Sequence, residues 1–253
     1  MNTSTETSSG TGFRTNLQAL RAAQKPSRGT AAYGRYVNRP AGRVVAAATH
    51  VFGLTPDGAT AVSALMSGLG IALLALVEPS PLLAIAVPVL LAGGYVMDSV
   101  DGQLARLRGR GSVRGEWLDH TVDCFKTSSL HLAVAVSWYR FPPSDDRALL
   151  LVPLGFSVVQ SVTYFGLIIM PFLRAGAAGR AASRAPEHPE NPLRKWLILP
   201  TDYGFMCWTF ALIAWPLGFA VVYTILFAMS AAMLALALRK WWRELTALDN
   251  QGV

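Results

Sequence analysis

The sequence is poor in cysteine and in acidic residues. Its 253 residues include two cysteines and 15 Asp and Glu residues, and only 15% of the chain is charged. Cys124 and Cys207 stand in apolar surroundings without a CxxC or Cys/His ligand spacing, so neither a disulfide framework nor a zinc site can be built. The few charges and the 52% hydrophobic content also exclude a disordered chain and disfavour an ordinary soluble domain.

The basic residues are gathered into a few hydrophilic stretches between long apolar runs. The formal net charge is +7, but this arrangement is typical of a membrane protein and argues against a nucleic-acid partner. Residues 1–32 lack an apolar h-region, so we expect no cleaved signal peptide and a disordered cytoplasmic tail. Residues 33–52 mix Val and Ala with Arg, which predicts an interfacial amphipathic helix interrupted at Pro40 and Gly42.

Long apolar segments give the number of membrane spans. A bilayer core of about 30 Å requires roughly 20 apolar helical residues. Four segments of this order occur at residues 59–77, 82–97, 117–139 and 148–172. The apolar run 205–238 gives two more spans if a helix begins near Leu197 and the chain turns at Trp215 and Pro216. We therefore predict an all-α integral membrane protein whose domain, residues 33–240, has six transmembrane helices and the interfacial helix.

Charge asymmetry predicts the orientation of these spans. With six spans, every Lys and Arg except Lys126, Arg140 and Arg147 falls on one side, which is expected to be cytoplasmic. A five-span arrangement would place the basic residues after the last span outside. We therefore expect a multi-pass cell membrane protein with both termini in the cytoplasm, including a C-terminal tail at residues 241–253.

Five of the 15 acidic residues lie between positions 98 and 123, at the ends of two predicted spans. On a helix Asp98 and Asp101 share one face, and Asp119 and Asp123 share another. The Gly- and Arg-rich connection at residues 107–115 can set the two helices antiparallel, so the four carboxylates converge at the cytoplasmic end. Such a group of like charges needs a cation, and oxygen ligands alone suit Mg²⁺ or Mn²⁺ and a phosphate substrate. The alternative is an interfacial salt-bridge network with Arg106 and the three arginines of the connection, Arg108, Arg110 and Arg114.

The spacing of these residues has a known counterpart. The eight positions are Asp98, Asp101, Gly102, Ala105, Arg106, Gly115, Asp119 and Asp123. Their order and spacing resemble the signature of the CDP-alcohol phosphotransferase (CDP-alcohol phosphatidyltransferase) family, without a gap. The signature covers about a tenth of the chain, but the predicted span layout with both ends inside is also similar to that family.

The resemblance implies a metal-dependent reaction of phospholipid biosynthesis. An alcohol attacks a CDP-linked donor, commonly CDP-diacylglycerol, a phosphodiester forms and CMP leaves. The resemblance further implies two Mg²⁺ or Mn²⁺ ions. The four aspartates would be metal ligands, and Asp123 would be a ligand or the catalytic general base. The nucleotide would contact Asp98, Asp101, Gly102, Ala105, Arg106 and Gly115.

A second segment resembles the family pattern Thr-Pro-Asn-x-x-Thr. It comprises Thr55, Pro56, Asp57 and Thr60, with Asp57 in place of Asn. The resemblance implies that Thr55 and Pro56 contact the nucleotide, and the replacement puts any contact from Asp57 in question. The same residues are also ordinary helix-start residues, so a capping role is an equal alternative.

The acceptor side has no decisive signature. Lys126, inside a predicted span, is a candidate acceptor ligand, or else pairs with a motif aspartate or snorkels to the headgroups. Arg174, with Arg180 and Arg184, is expected to bind either an anionic acceptor or anionic lipid. Asp202 either caps a helix or faces the cavity.

Other polar residues within the spans have structural interpretations. His120, His131 and the pair Gln160 and Tyr164 are expected to make packing or interhelical contacts. Two other classes of protein compete with the enzyme: a divalent-cation transporter and a noncatalytic membrane scaffold. A homodimer formed through lipid-facing apolar surfaces is a further hypothesis.

Overall fold

The structure is a computed structural model that describes residues 12–23, 31–109, 111–178 and 199–250. The described part of the chain is helical and has no β-strand, which confirms the all-α class. Its α-helices are α1 (Phe13–Ala22), α2 (Arg39–Val51), α3 (Pro56–Leu76), α4 (Pro81–Leu107), α5 (Val113–Arg140), α6 (Leu151–Ala178), α7 (Tyr203–Thr209) and α8 (Pro216–Asp249). A π-helical turn, Gly34–Asn38, precedes α2, and 3₁₀ turns occur at Arg147–Leu150, Leu199–Thr201 and Phe210–Leu212.

The N-terminal segment departs from the expected disorder, because α1 is a helix within residues 1–32. Leu20 is fully buried in a small apolar cluster with α2, α3 and α4. The side-chain amide of Asn16 donates to the carbonyl of Ala47 in α2 at 3.3 Å. The disorder prediction is therefore wrong for this segment, since α1 finds a partner surface on α2 that composition alone does not reveal.

A helix is present within the predicted range 33–52, and Pro40 and Gly42 do not interrupt it. The π-helical turn runs directly into α2, with Pro40 in the first turn of that helix. The proline ring clashes with the carbonyl four residues earlier in a regular α-helix, and the wider π turn before α2 leaves room for the ring. Gly42 faces α4, where a Cβ would lie 2.8 Å from the hydroxyl of Ser99.

Among the described residues, four helical segments are long and apolar enough to cross a membrane: Pro56–Leu76, Pro81–Leu107, Arg147–Gly176 and Pro216–Asp249. They contain the first, second, fourth and sixth predicted spans. Helix α5 has 28 residues and contains the third, but its first half carries the charged residues of the motif. The fifth predicted span corresponds to the short apolar helical segment Tyr203–Leu212, and its expected start near Leu197 lies outside the described residues. The count of six spans therefore stays a prediction.

The turn predicted at Trp215 and Pro216 is a real helix boundary. Helical structure ends at Leu212, and α8 begins at Pro216, whose missing N–H suits the first helical position. Helix α8 has 34 residues, about 51 Å at 1.5 Å per residue, so it exceeds the bilayer core. It continues to Asp249, through most of the segment expected to form a C-terminal tail.

Two apolar clusters enclose a polar layer. The smaller cluster joins α1, α2, α3 and α4 around Ala59, Val100 and Leu104. The larger cluster fills the other half of the bundle and includes Leu74 and Tyr223. Helix α3 packs against both α4 and α5, whereas the backbones of α4 and α5 do not pack closely on one another. Side chains from α4 and α5 therefore meet across a gap beside α3.

Candidate active site

The four motif aspartates come from the facing ends of α4 and α5. Helix α4 ends at Leu107, Gly109 adopts a positive φ of 72°, and α5 begins at Val113, so the chain reverses direction as predicted. The hydroxyl of Ser112 caps α5 by accepting from the N–H of Gly115 at 2.9 Å. This short connection fixes the register of the two acidic helices.

Three of the four carboxylates lie together. One oxygen from each of Asp98, Asp119 and Asp123 lies within 4.8 Å of the others. Asp101 is more deeply buried, at 8% exposure, and its Oδ2 accepts from the hydroxyl of Thr60 at 2.7 Å. Its Oδ1 accepts from the N–H of Gly102, and its side chain lies within hydrogen-bonding reach of Asp119. The site is one continuous group of carboxylates from two helices.

Lys126 lies inside this group. Its side chain forms ion pairs with Asp98 and with Asp123, the latter at 2.6 Å. Its Nζ is also 3.4 Å from the hydroxyl of Ser63 in α3, and the residue is only 3% exposed. Of the alternatives for Lys126, the structure contains the pairing with motif aspartates, and the side chain is buried within the protein.

The donor set fits a hard divalent cation. The clustered groups are carboxylate oxygens, which Mg²⁺ and Mn²⁺ prefer, and no His or Cys completes a candidate cluster among the described residues. The three oxygens lie within 4.8 Å of one another, which is near the separation of about 4.2 Å between oxygens on opposite sides of one Mg²⁺ ion. Asp98, Asp119 and Asp123, with Asp101 beside them, are thus the residues that would hold a metal ion.

Open space adjoins the aspartates at Gly102. A Cβ placed there would contact only the guanidinium of Arg106, at 3.6 Å. At Gly115, by contrast, a Cβ would meet the hydroxyl of Ser112 at 2.9 Å and the carboxylate of Asp57 at 3.3 Å. Gly102 thus leaves room for a ligand beside Asp101, whereas Gly115 permits close approach of the α3 and α5 N-termini. Ala105 lies one turn beyond Asp101, on the same side of α4.

Within the described residues, Arg106, Arg108 and Arg114 do not form the alternative salt-bridge network with the motif aspartates. Arg114 pairs with Asp57 at 2.6 Å, and Arg108 donates to the carbonyls of Gly53 and Leu54. Arg106 has no ion pair with a motif aspartate within the described chain, and its buried Nε has no hydrogen-bond partner there. Arg110 lies outside the described residues. None of these three arginines therefore forms an ion pair with a motif aspartate.

The segment before α3 adopts the predicted capping geometry. The hydroxyl of Thr55 accepts from the N–H of Gly58 at 3.0 Å, and Pro56 occupies the first turn. Thr60, one turn later, reaches Asp101. Thr55 and Pro56 therefore have a structural role whether or not they also contact a nucleotide.

The remaining acceptor candidates are engaged in the fold. Arg174 in α6 forms a bidentate ion pair with Glu244 in α8. Its Nε and Nη2 donate to the two carboxylate oxygens at 2.6 and 3.0 Å. Asp202 caps α7 by accepting from the N–H of Gly204 at 2.8 Å and also accepts from the N–H of Gly34 at 3.2 Å. Arg180 and Arg184 lie outside the described residues.

The histidines make the expected packing and interhelical contacts. The carbonyl of His120 accepts from the hydroxyl of Tyr164 at 2.8 Å. The Nδ1 of His131 lies 2.6 Å from the hydroxyl of Tyr223, and its ring stacks on Phe156 with 3.9 Å between centroids. Both residues connect helices and do not enter the carboxylate cluster.

Sequence reasoning missed the contribution of Ser63. Its hydroxyl donates to the carbonyl of Gly94 at 2.8 Å and lies next to Lys126. A signal was available, because Thr60, Ser63 and Ser67 are polar residues at helical spacing in an otherwise apolar span. That face of α3 is the third wall of the site.

Comparisons with known proteins agree with this geometry. A family model described as CDP-alcohol phosphatidyltransferase matches residues 54–242, which include both acidic helices. The structure of Mycobacterium tuberculosis phosphatidylinositol phosphate synthase (PgsA1) with CDP-DAG bound is 22% identical, with a TM-score of 0.51 over 81% of this chain and 94% of that chain. The same enzyme in complex with manganese and citrate is 21% identical, with a TM-score of 0.51 over 81% and 89%.

The family model and the two structures support different conclusions, about the family and about the fold. At 21–22% identity, the mycobacterial structures establish a shared fold. No curated protein matches the chain. The family model covers well over half of the chain, including every position of the acidic motif. The chain therefore belongs to the CDP-alcohol phosphatidyltransferase family and is a membrane transferase of phospholipid synthesis.

Proposed function

We propose that the protein transfers a phosphatidyl group from CDP-diacylglycerol to an alcohol, with release of CMP, and that the reaction requires Mg²⁺ or Mn²⁺. The observation that carries this proposal is the cluster formed by Asp98, Asp119 and Asp123 across two helices. Each charge inside a membrane protein is costly, so a group of carboxylates there indicates that a cation is held among them. The open space at Gly102 supports a bulky ligand beside them.

The chain's own residues have distinct roles in this proposal. Asp98, Asp101, Asp119 and Asp123 hold the metal, which when bound neutralises charge on the pyrophosphate and on the departing CMP. Thr60 fixes the orientation of Asp101 through its hydroxyl. An oriented carboxylate loses little freedom on binding, so the hydrogen bond prepares the ligand geometry.

Asp123 is proposed as the general base. The acceptor hydroxyl oxygen forms a bond to the phosphorus as the bond between phosphorus and the CMP oxygen breaks, and the hydroxyl proton passes to Asp123. Asp123 suits this role because it is partly accessible, whereas Asp101 is buried and already accepts two hydrogen bonds. A base must lie within hydrogen-bond reach of the proton that it removes.

The nucleotide is proposed to lie along α4. Gly102 and Ala105 have little or no side chain, so they leave space on the helix surface beside the carboxylates. The guanidinium of Arg106 lies next to that space. A guanidinium can hold phosphate oxygens with two parallel hydrogen bonds. Thr55 and Pro56, at the nearby start of α3, complete the proposed nucleotide site.

The proposal extends to membrane placement. We propose that residues 33–240 form the membrane domain, with six spans and with the active site and both termini on the cytoplasmic side. The strong bias of Lys and Arg to one side supports this orientation.

The direct test incubates purified full-length protein with labelled CDP-diacylglycerol and Mn²⁺ or Mg²⁺. A panel of acceptors, inositol phosphate, glycerol phosphate, serine and other polyols, is scored for CMP release. We expect release that requires one acceptor and is abolished by EDTA. Asp101→Ala should lose metal-dependent donor binding, measured separately from turnover. Metal-independent release, or no release with any acceptor or CDP-alcohol donor, would contradict the proposal.

A further inference from the structure

We propose that Arg39 of α2 binds the diphosphate of the CDP-linked donor together with Arg106 of α4, at the phosphate that carries the diacylglycerol. This inference rests on the proposed function, because it adds a residue to the same donor site. Arg39 precedes residues 54–242, the range that the family model matches, and it belongs to neither of the two motifs.

Helix α2 is anchored with its first turn beside α4. The side-chain amide of Asn38 donates to the carbonyl of Tyr95 at 3.2 Å. The side-chain amide of Gln103 donates to the carbonyl of Arg39 at 3.3 Å. Arg39 is therefore fixed beside the part of α4 in which the acidic motif begins.

Two arginines lie close together near the open space at Gly102. The guanidinium of Arg106 is 3.6 Å from the position that a Cβ of Gly102 would take. Arg106 lies within electrostatic range of the carboxylate of Asp101, which attracts it, and of Arg39, which repels it. Arg106 thus has a motif carboxylate and a second guanidinium as its charged neighbours.

The arginines of this region include buried donors without acceptors. Arg43 follows Arg39 by one turn, on the same side of α2. The Nε atoms of Arg43 and Arg106 are buried and have no hydrogen-bond partner within the described residues. A buried donor without a partner is costly, and neighbouring positive charges repel. A phosphate group would remove both costs, because it is negative and its oxygens accept paired hydrogen bonds from guanidinium groups.

The position of Arg39 selects the phosphate next to the lipid. Helix α2 has 13 residues, so Arg39 lies about 18 Å from the end of the helix that leads to Thr55 and Pro56. Those two residues belong to the proposed nucleotide site. Asn38, next to Arg39, instead contacts the apolar part of α4 at Tyr95. The nucleoside is thus expected toward Thr55, and the phosphate that carries the diacylglycerol toward Arg39.

Ligands that differ by one phosphate test this assignment without turnover. Purified full-length protein in detergent, at a fixed Mn²⁺ concentration, is titrated with radiolabelled CDP-diacylglycerol, CDP and CMP to obtain three dissociation constants. We expect Arg39→Met to weaken the binding of CDP-diacylglycerol and CDP about 10–100-fold, as for the loss of a hydrogen bond to a charged group. The binding of CMP should change little, because CMP lacks the phosphate assigned to Arg39.

Arg35→Met is the matched control. It removes the same charge one turn earlier, where the guanidinium lies over the exposed ring of Tyr36, and should bind all three ligands as wild type does. Unchanged CDP binding in Arg39→Met would overturn the inference. Equal losses for CDP and CMP would also overturn it, because they would show that Arg39 only supports the fold.

The wild-type protein provides a test that no folding defect can obscure. Equal wild-type affinities for CDP and CMP would overturn the inference without any variant. Metal-dependent CMP release alongside any of these contrary results would leave the proposed function intact. If the wild-type protein neither binds CDP-diacylglycerol nor releases CMP, the proposed function is wrong and this inference with it.

Discussion

Asp123 and Asp101 show how position separates the roles of identical side chains. Asp123 belongs to the cluster of Asp98 and Asp119 and pairs with Lys126, whereas Asp101 is fixed by Thr60 and a backbone N–H. A fixed, buried carboxylate suits metal binding, and a more accessible one suits proton transfer. The proposed mechanism depends on this difference.

Replacing Asp123 separates proton transfer from donor binding. Asp123→Asn keeps the shape of the side chain and removes its capacity as a base, so we expect turnover to fall about 10²–10⁴-fold with much of the donor binding retained. CMP release and equilibrium binding of CDP-diacylglycerol measure the two effects. Asp145→Asn, at an exposed position in the loop after α5, is the control and should behave as wild type. Unchanged turnover in Asp123→Asn would refute the role as base.

Filling the space at Gly102 tests the nucleotide site. Gly102→Leu meets no atom nearer than the Arg106 guanidinium at its Cβ, and it replaces a poor helix former, so the fold should not be destabilised. We expect the KM for the donor to rise at least about tenfold, equivalent to about 1.4 kcal/mol. Gly68→Leu is the matched control, because a Cβ at Gly68 in α3 has no neighbour within 4 Å. Equal donor KM values in the two variants would show that no ligand occupies this space.

The sequence predicts the aspartates better than it predicts their neighbours. Helical periodicity places Asp98 with Asp101, and Asp119 with Asp123, because those offsets depend only on local geometry. The contact between Lys126 and Asp98 joins two helices, so it depends on how they are placed relative to one another. The hydrogen bond from Thr60 to Asp101 depends on the same packing. Spacing cannot specify either contact.

At the scale of elements, close helix packing depends on small residues. Gly42 lets α2 approach α4, where the hydroxyl of Ser99 and the amide of Gln103 would each lie within 3 Å of a Cβ. The side-chain amide of Gln103 also donates to the carbonyl of Arg39 at 3.3 Å. Helix α2 is thereby held against the helix that carries Asp98 and Asp101.

Gly42→Leu should separate α2 from α4. Overpacking a closely packed contact costs about 1–3 kcal/mol, so we expect a lower midpoint of thermal unfolding in detergent. Val44→Leu adds bulk on the exposed face of the same helix and is the matched control. A Gly42→Leu midpoint equal to that of Val44→Leu would mean that α2 does not need this close contact with α4.

Local signals predict helix boundaries well when the chemistry of the boundary is local. Pro216 marks the start of α8, and Thr55 and Ser112 cap α3 and α5 as their positions suggest. Helix α1 was missed because its stability comes from contact with α2, through Leu20 and Asn16. Composition reports the polarity of a segment and not the surface that it packs against.

Across the whole molecule, the polar layer lies between two apolar clusters. The smaller one surrounds Leu104 and the larger one surrounds Tyr223, while the carboxylates lie between them. Apolar residues on both sides exclude water from these charges. The lower dielectric constant strengthens their attraction for a cation. The hydrophobic pattern predicted the apolar helices, but the division into two clusters follows from their packing.

The number of membrane crossings depends on whether the short apolar segment before α8 crosses the membrane. Six spans place Asp145 and Ala214 outside the cell and Asn250 inside, because α7 and α8 must then each complete a crossing. All three residues are exposed, so each can carry a cysteine probe. The background is Cys124→Ser, since Cys124 is exposed whereas Cys207 is buried.

Labelling intact cells with a membrane-impermeant maleimide distinguishes the topologies. We expect Asp145→Cys and Ala214→Cys to react in intact cells, and Asn250→Cys to react only after permeabilisation. The reason is that Arg239, Lys240 and Arg243, at the end of α8, favour the cytoplasmic side. If Ala214→Cys reacts only after permeabilisation while Asp145→Cys reacts in intact cells, the short helix α7 does not complete a crossing and the six-span count is wrong.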